Sequence, residues 1–291
     1  MALFKAAIRL SRLLTMPDLS SLRQVRDVLS TYDLAADKAF GQNFLVDRNV
    51  LQIIVETADI SANDHVLEIG PGLGVLSLEL AKRAAHVTAV ELDERLLPLL
   101  KETFGDIATL NLVHADGLKF GLEQLPKSSL LVANLPYNVA TPMIVRALEA
   151  TRFKRLVFLV QKEVAERLTA TPGSKAYGAL SLVIRHFGAA ERIKDVKPGS
   201  FYPPPEVTSS IVRIDVDETA LPNPELFDFI HTSFRHRRKT LKKNLEMAGY
   251  KRSSIINTLE TLHLDAKVRA EALALETFQA LFINLSPYTN S

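Results

Sequence analysis

Four acidic or amide side chains stand beside short apolar runs in the first half of this sequence. Glu68 opens the stretch Glu68-Ile-Gly70-Pro-Gly72-Leu-Gly74. Glu91 closes the run His86–Val90, Asp116 follows Leu110–Val113, and Asn134 follows Leu130–Ala133 at the head of Asn134-Leu135-Pro136-Tyr137. Glycines between a strand and a helix let the backbone turn sharply and approach a ligand closely. The spacing does not fit the dinucleotide fingerprint G-x-G-x-x-G. Counted from Gly70 the third glycine position holds Val75, and counted from Gly72 it holds Ser77. A dinucleotide needs helix-terminal N–H groups for its pyrophosphate. An acid just before G-x-G-x-G suits a ligand that lacks phosphate and carries positive charge. A plain tight turn is the alternative.

That arrangement is the pattern of S-adenosylmethionine-dependent methyltransferases. Their donor carries a sulfonium cation, whose charged end the Glu68 carboxylate can favour through structure or water, with the backbone at Gly70 beside it. Glu91 lies about 20 residues past Gly70, the spacing at which an acid accepts hydrogen bonds from both ribose hydroxyls. Asp116 is placed to accept from an adenine amino group; a helix N-cap is its other reading.

Asn134-Leu135-Pro136-Tyr137 fits methylation of an exocyclic amine. The lone pair of adenine N6 is conjugated with the ring, so the amine is a poor nucleophile. The Asn134 side-chain oxygen and the Leu135 carbonyl, aimed at the two amine hydrogens, would favour a pyramidal nitrogen and free that lone pair. Pro136 fixes its own φ and keeps Leu135 extended. The face of Tyr137 can stack on the base. Attack on the methyl group then needs proximity and in-line alignment, and no strong base at the start. A turn with a buried tyrosine is the alternative.

Such residues need a frame. Strands that are apolar throughout and alternate with helical stretches imply a parallel sheet covered on both faces. The expected fold is α/β: a class I methyltransferase domain, doubly wound and mostly parallel, with a C-terminal hairpin from SLVIRHFG (181–188) and SSIVRIDV (209–216). A polar, proline-containing stretch near residues 218–224 reads as a linker. Beyond it the pattern is helical to the end. The domains are therefore expected as an N-terminal extension over 1–36, partly helical, a catalytic domain over 37–217, and a small all-helical domain over 218–291.

Hydrophobic residues make up 47 % of the 291, enough for a packed core, and the net charge of +2 says little about partners. With no cysteine, disulfide scaffolds, cysteine-based zinc sites and thiol nucleophiles are excluded, which fits reducing cytoplasm. No apolar run approaches the ~18–20 residues that span a bilayer. The first fifteen residues hold Lys5, Arg9 and Arg12 and no acid. They read as a mitochondrial presequence, as an amphipathic helix, or as a stretch upstream of a true start at Met16.

Taken together, the motifs resemble the ribosomal RNA adenine N6-dimethyltransferase family, and most closely its bacterial 16S branch. FGQNFLVD (Phe40–Asp47), EIGPGLG, VELD, NLPYN, QKEVAERL (Gln161–Leu168), SKAYGALS (Ser174–Ser181) and FYPPPEVTS (Phe201–Ser209) occur in family order. The resemblance implies that Asn43 and the backbone at Leu45 contact the donor, with Gly70, Glu91, Asp116 and Asn134. It also implies that Phe201 stacks on the target adenine opposite Tyr137. From the residues alone, three prolines stiffen that loop and leave Phe201 either exposed for a base or tucked into a satellite core. The implied reaction dimethylates N6 of two adjacent adenosines in the 3′-terminal hairpin loop of 16S rRNA as the 30S subunit matures. The donor would be S-adenosylmethionine, the product S-adenosylhomocysteine, with no metal, and the enzyme a cytoplasmic monomer.

For RNA, Arg235, Arg237, Arg238, Lys239, Lys242 and Lys243 form a run without an acid. Read as a helix, Arg235, Arg238, Lys239 and Lys242 share a face. Such a run favours phosphate contacts, which position RNA without reading sequence; a solvated charged face is the alternative. Rival readings are a 23S rRNA dimethylase of the macrolide-resistance type, a non-catalytic assembly or transcription factor on the same fold, and a DNA adenine methylase.

Overall fold

A computed structural model describes residues 21–37 and 41–285. The expectations for the first fifteen residues and for Phe40 lie outside them. The chain divides into two compact units, one of residues 1–165 and 191–218, the other of 166–190 and 219–291. The boundary expected near 217 lies beside the third crossing, at 218/219. Residues 166–190, read from sequence as part of the catalytic domain, group with the helical unit.

The first unit is built on a sheet of strands β2 (His65–Ile69), β3 (His86–Glu91), β4 (Leu110–His114), β5 (Ser129–Asn134), β6 (Phe153–Gln161), β7 (Gly188–Val196) and β9 (Ser209–Val216). Their order is β4-β3-β2-β5-β6-β9-β7. Strands β2 to β6 are parallel, and β9 runs antiparallel to β6. Leu67, Ala89, Leu131 and Val157 are fully buried at the sheet's centre. This is why those strands read as unbroken apolar runs, since helices cover both faces. Chain order reverses between β2 and β5, the switch point at which open α/β sheets bind ligands.

Two short strands, β1 (Phe44–Leu45) and β8 (Phe201–Tyr202), form a separate antiparallel ribbon. The helix Leu22–Thr31 is N-capped by Ser21. It buries Val25 and Leu29 in a cluster with Phe44, Leu73, Leu96 and Phe104. Part of the N-terminal extension is thus built into the catalytic unit.

SLVIRHFG is not a strand. The chain is helical over Ala179–Phe187 and becomes β7 only at Gly188. Leu180, Val183, Ile184 and Phe187 recur at helical spacing and are all buried, but a short apolar run does not reveal its period. In the helical unit, Phe229, Phe278, Leu241, Leu245 and Ile255 form the core. Among the described residues no helix is long and apolar enough to cross a membrane.

Candidate active site

β2 and β5 lie side by side, with Val66 opposite Leu130 and Leu67 opposite Leu131. The loops leaving their carboxyl ends border one cavity, walled by residues 41–45, 68–73, 91–92, 116–118 and 134–139 among others. Asn43, Leu45, Gly70, Glu91, Asp116 and Asn134 therefore surround the same space as Leu135, Pro136 and Tyr137. The proline ring sits between two glycines. A Cβ at Gly70 (φ +70°) would lie 3.6 Å from Pro136 Cδ, and one at Gly41 (φ +63°) 3.6 Å from Pro136 Cβ. Those are ordinary contact distances; the positive φ is what favours glycine at both positions.

The acids differ in setting. Glu91 Oε1 accepts from the main-chain N–H of Leu92 at 2.9 Å and of Asp93 at 2.8 Å; Oε2 has one longer contact, from Gly72 N–H at 3.4 Å. Oε2 thus keeps capacity for a ligand hydroxyl. Burial pushes the Glu91 pKa up, and the three N–H donors pull against that. Asp116 Oδ1 accepts from Leu118 N–H at 2.9 Å and so closes a turn, not a helix, since no helix starts directly after it, while the residue lines the cavity. Arg146 steadies that turn, donating to the Gly117 carbonyl at 3.4 Å and the Phe120 carbonyl at 2.5 Å.

Glu68, expected as a carboxylate acting on the donor's cationic end through structure or water, borders the cavity but is buried. It is 1 % exposed, and the Ser77 hydroxyl donates to its Oε2. Burial pushes its pKa up to about 8, so at neutral pH the group is largely a neutral acid.

On the acceptor side, Asn134 Nδ2 donates to the Asn43 carbonyl at 3.0 Å. That bond fixes which way the amide faces and leaves Oδ1 as the acceptor. Leu135 is buried along the wall, and Pro136 after it disfavours helical backbone at Leu135. The Tyr137 hydroxyl meets Ser209 Oγ at 2.6 Å.

Phe201 does not join them. It is 3 % exposed, packed with Leu45, Val50, Ile54 and Ile211, and absent from the cavity wall. Its partner in β1 is Leu45, and strand alternation turns its ring inward. Phe201 thus packs in the core of the sheet unit with Leu130, Val157 and Leu159, rather than in a satellite cluster. Its neighbour Tyr202 is half-buried, with the Arg26 guanidinium 5.2 Å from its ring centroid.

Sequence reasoning missed the brace behind Asn43. Gln42 accepts from Asp37 N–H at 2.9 Å and donates to Asp93 Oδ2 at 2.8 Å. Arg95 grips the same carboxylate at 2.7 Å and, with Gln42, holds its pKa below the usual range. Both residues stood in quoted motifs, GQNF and VELD, but nothing in either motif names the other.

The basic run is not one helix. The helix Pro224–Ser233 ends before it, residues 234–240 form turns, and a second helix starts at Leu241, capped by Thr240. Asn244 fixes the turn by accepting from His236 N–H at 3.0 Å and donating to the His236 carbonyl at 3.2 Å. A shared helical face for Arg235, Arg238, Lys239 and Lys242 is therefore lost. Arg237 is anchored to Glu271 at 3.2 Å and to the Lys175 carbonyl, and Lys243 pairs with Glu246 at 3.5 Å. Arg235, Arg238 and Lys239 are exposed. Among the described residues no group of three or more His, Asp or Glu is arranged to hold a metal ion.

The strand order, the glycine turn after β2 and the acid ending β3 define a class I S-adenosylmethionine-dependent methyltransferase fold. Two solved structures share it. A dimethyladenosine transferase from Plasmodium falciparum aligns with a TM-score of 0.75 at 28 % identity, covering 84 % of this chain and 98 % of that one. The 23S rRNA methyltransferase ErmE aligns with a TM-score of 0.68 at 28 % identity, covering 84 % and 100 %. Residues 34–286 match the family profile described as ribosomal RNA adenine dimethylase. The ribosomal RNA small subunit methyltransferase A of Deinococcus radiodurans is 43 % identical over 264 residues, 90 % of each chain. Its namesake in Lactiplantibacillus plantarum is 41 % identical over 284 residues, 91 % of this chain and 95 % of the other. The chain belongs to the ribosomal RNA adenine dimethylase family.

Proposed function

We propose that this enzyme dimethylates N6 of two adjacent adenosines in the 3′-terminal hairpin loop of 16S rRNA, in the maturing small ribosomal subunit. The observation that carries the reading is the shared cavity: the Asn134–Tyr137 turn opens into the space bordered by Glu91 and Asp116. The relatives at about 40 % identity, named as small-subunit enzymes, favour 16S over the 23S substrate of the more distant ErmE.

The residues present fit S-adenosylmethionine. Glu91 Oε2 can accept from ribose hydroxyls, Asp116 from the adenine amine, and Asn43, Leu45 and Gly70 bring main chain to the cavity. When bound, that donor supplies an electrophilic methyl group on sulfur and leaves as S-adenosylhomocysteine. Asn134 Oδ1 and the Leu135 carbonyl accept from the two N6 hydrogens of a flipped adenine. The paired acceptors localise the nitrogen lone pair and point it across the cavity. Tyr137 stacks beneath the base, which has left its own stack to enter. As the N–C bond forms, the amine proton passes to solvent, because the nitrogen starts neutral and needs no strong base. In a second round the monomethylated nitrogen has one hydrogen left, which only one of the two oxygens can hold.

Arg235, Arg238, Lys239 and Lys242 act as a phosphate-contacting surface of the helical unit, giving salt-sensitive, sequence-independent affinity, while Arg237 and Lys243 are held by Glu271 and Glu246. The enzyme works as a cytoplasmic monomer on the 30S subunit or its precursor. Mass spectrometry of the 3′ end of small-subunit rRNA, from cells with and without the gene, tests the assignment. Loss of both dimethyladenosines on deletion is expected; their retention overturns the substrate, and loss of a 23S mark with altered macrolide sensitivity would point to the rival.

A further inference from the structure

Stacking asks only for a ring, and phenylalanine would supply one. Tyr137 carries a hydroxyl as well, and that hydroxyl meets Ser209 Oγ at 2.6 Å. Ser209 is wholly buried. It is the first residue of β9, in register with Gln161 of β6. Strand β6 is also the neighbour of β5, where Leu159 pairs with Asn134. The serine and the acceptor amide are therefore mounted on one sheet, two strands apart. Burial pushes the Tyr137 phenol pKa above its ordinary value, so the contact joins two neutral hydroxyls.

We propose that Ser209 is a positioning residue for methyl transfer: its hydroxyl holds the Tyr137 ring in the orientation that stacks the target adenine beside Asn134. This rests on the reading of Tyr137 as the stacking ring. Pro136, lodged between Gly41 and Gly70, confines the main chain of the turn but leaves the tyrosine side chain its own torsions. The bond to Ser209 removes that freedom at the far end of the ring, before RNA arrives. Ser209 also closes the proline-rich loop that starts at Phe201. The other root of this loop is tied down too, by Ser200 Oγ donating to Asp47 at 2.8 Å, and the next residue, Ser210, donates to Asp195 at 2.8 Å. The loop is thus pinned at both ends, and one pin is the acceptor turn itself. A ring free to swing would let the base drift from the near-attack geometry that methyl transfer requires, with N6 and the methyl carbon ~3–3.5 Å apart.

A double-mutant cycle tests this. Wild type, Ser209→Ala, Tyr137→Phe and the double variant are compared in single-turnover methylation of undermethylated 30S particles at saturating donor. Affinity for S-adenosylhomocysteine is measured alongside by calorimetry. Each single variant is expected to slow transfer about tenfold with product affinity nearly unchanged, and the double variant to be no slower than either. Tyr137→Phe removes the same contact without touching the buried serine, so the cycle survives poor folding of Ser209→Ala. A Tyr137→Phe enzyme as fast as wild type, or a Ser209→Ala change that slows the Tyr137→Phe enzyme as much as wild type, overturns the proposal. A Tyr137→Ala enzyme with wild-type rate would instead defeat the stacking role on which the proposal rests.

Discussion

Asn134 and Asn43 are 91 positions apart, yet the side-chain N–H of the first donates to the main-chain carbonyl of the second at 3.0 Å. One residue ends β5, the other lies in the loop before β1, and both line the same cavity. The bond uses the amide's N–H and leaves its oxygen as the acceptor. An aspartate could not make it, because two oxygens would face each other.

Asn134→Asp therefore keeps an acceptor but loses its orientation. Transfer is expected to fall by about 10²–10³-fold, the range seen when a single oriented polar group is removed from a reacting centre. Affinity for S-adenosylhomocysteine should fall far less. Single-turnover rates and calorimetry measure the two separately, and equal losses would make the residue structural.

Glu68 sets a pH dependence of stability. Its folded pKa of about 8 lies above the unfolded carboxyl value of 4.5, so the native state holds a proton that the unfolded chain releases. Stability contributed by this group then falls as pH rises from 4.5 towards 8 and levels off above. Glu68→Gln keeps a neutral side chain at every pH. Its melting temperature relative to wild type should climb between pH 5 and pH 8 and then hold constant. A difference independent of pH would mean that the acid is already ionised in the folded protein.

Phe201→Ala should behave as a core truncation. The expected cost is about 3–5 kcal/mol of unfolding free energy, measured by urea denaturation. Folded enzyme retaining near-normal transfer per active molecule agrees with a packing role. Full stability with abolished transfer would restore Phe201 to the base.

In the helical unit, neutralising Arg238 and Lys239 together should lower the dependence of log affinity for rRNA on log salt by about 1.4–1.8, if each meets one phosphate. Arg237→Gln should instead act mainly on thermal stability, since that guanidinium already holds Glu271 and the Lys175 carbonyl. Binding titrations from 50 to 300 mM salt distinguish the two.

What the sequence made legible was contiguous. Gly70, Glu91, Asp116 and Asn134 each end or follow a strand that can be read from its own apolar run, and a parallel sheet brings the ends of such strands together. What stayed hidden was pairwise and distant: Gln42 with Asp93, Ser77 with Glu68, Tyr137 with Ser209. No local pattern records which hydroxyl meets which ring. Phe201 was misjudged because its strand partner, Leu45, lies far upstream in the chain. The basic segment was misjudged because a turn held by Asn244 interrupts what composition alone reads as a helix.

The β1–β8 ribbon has a consequence for a newly made copy. Residues 44 and 45 leave the translating ribosome well before residues 201 and 202, with which they pair. At ~5–20 residues per second the wait is roughly 8–30 s. Until the second strand emerges, the segment carrying Phe44, whose ring lies against Gly72, lacks its strand partner. A nascent chain acquires its methylating competence only after about two-thirds of its length has been synthesised, so no stalled or shortened product ending before that point can work as a partial enzyme.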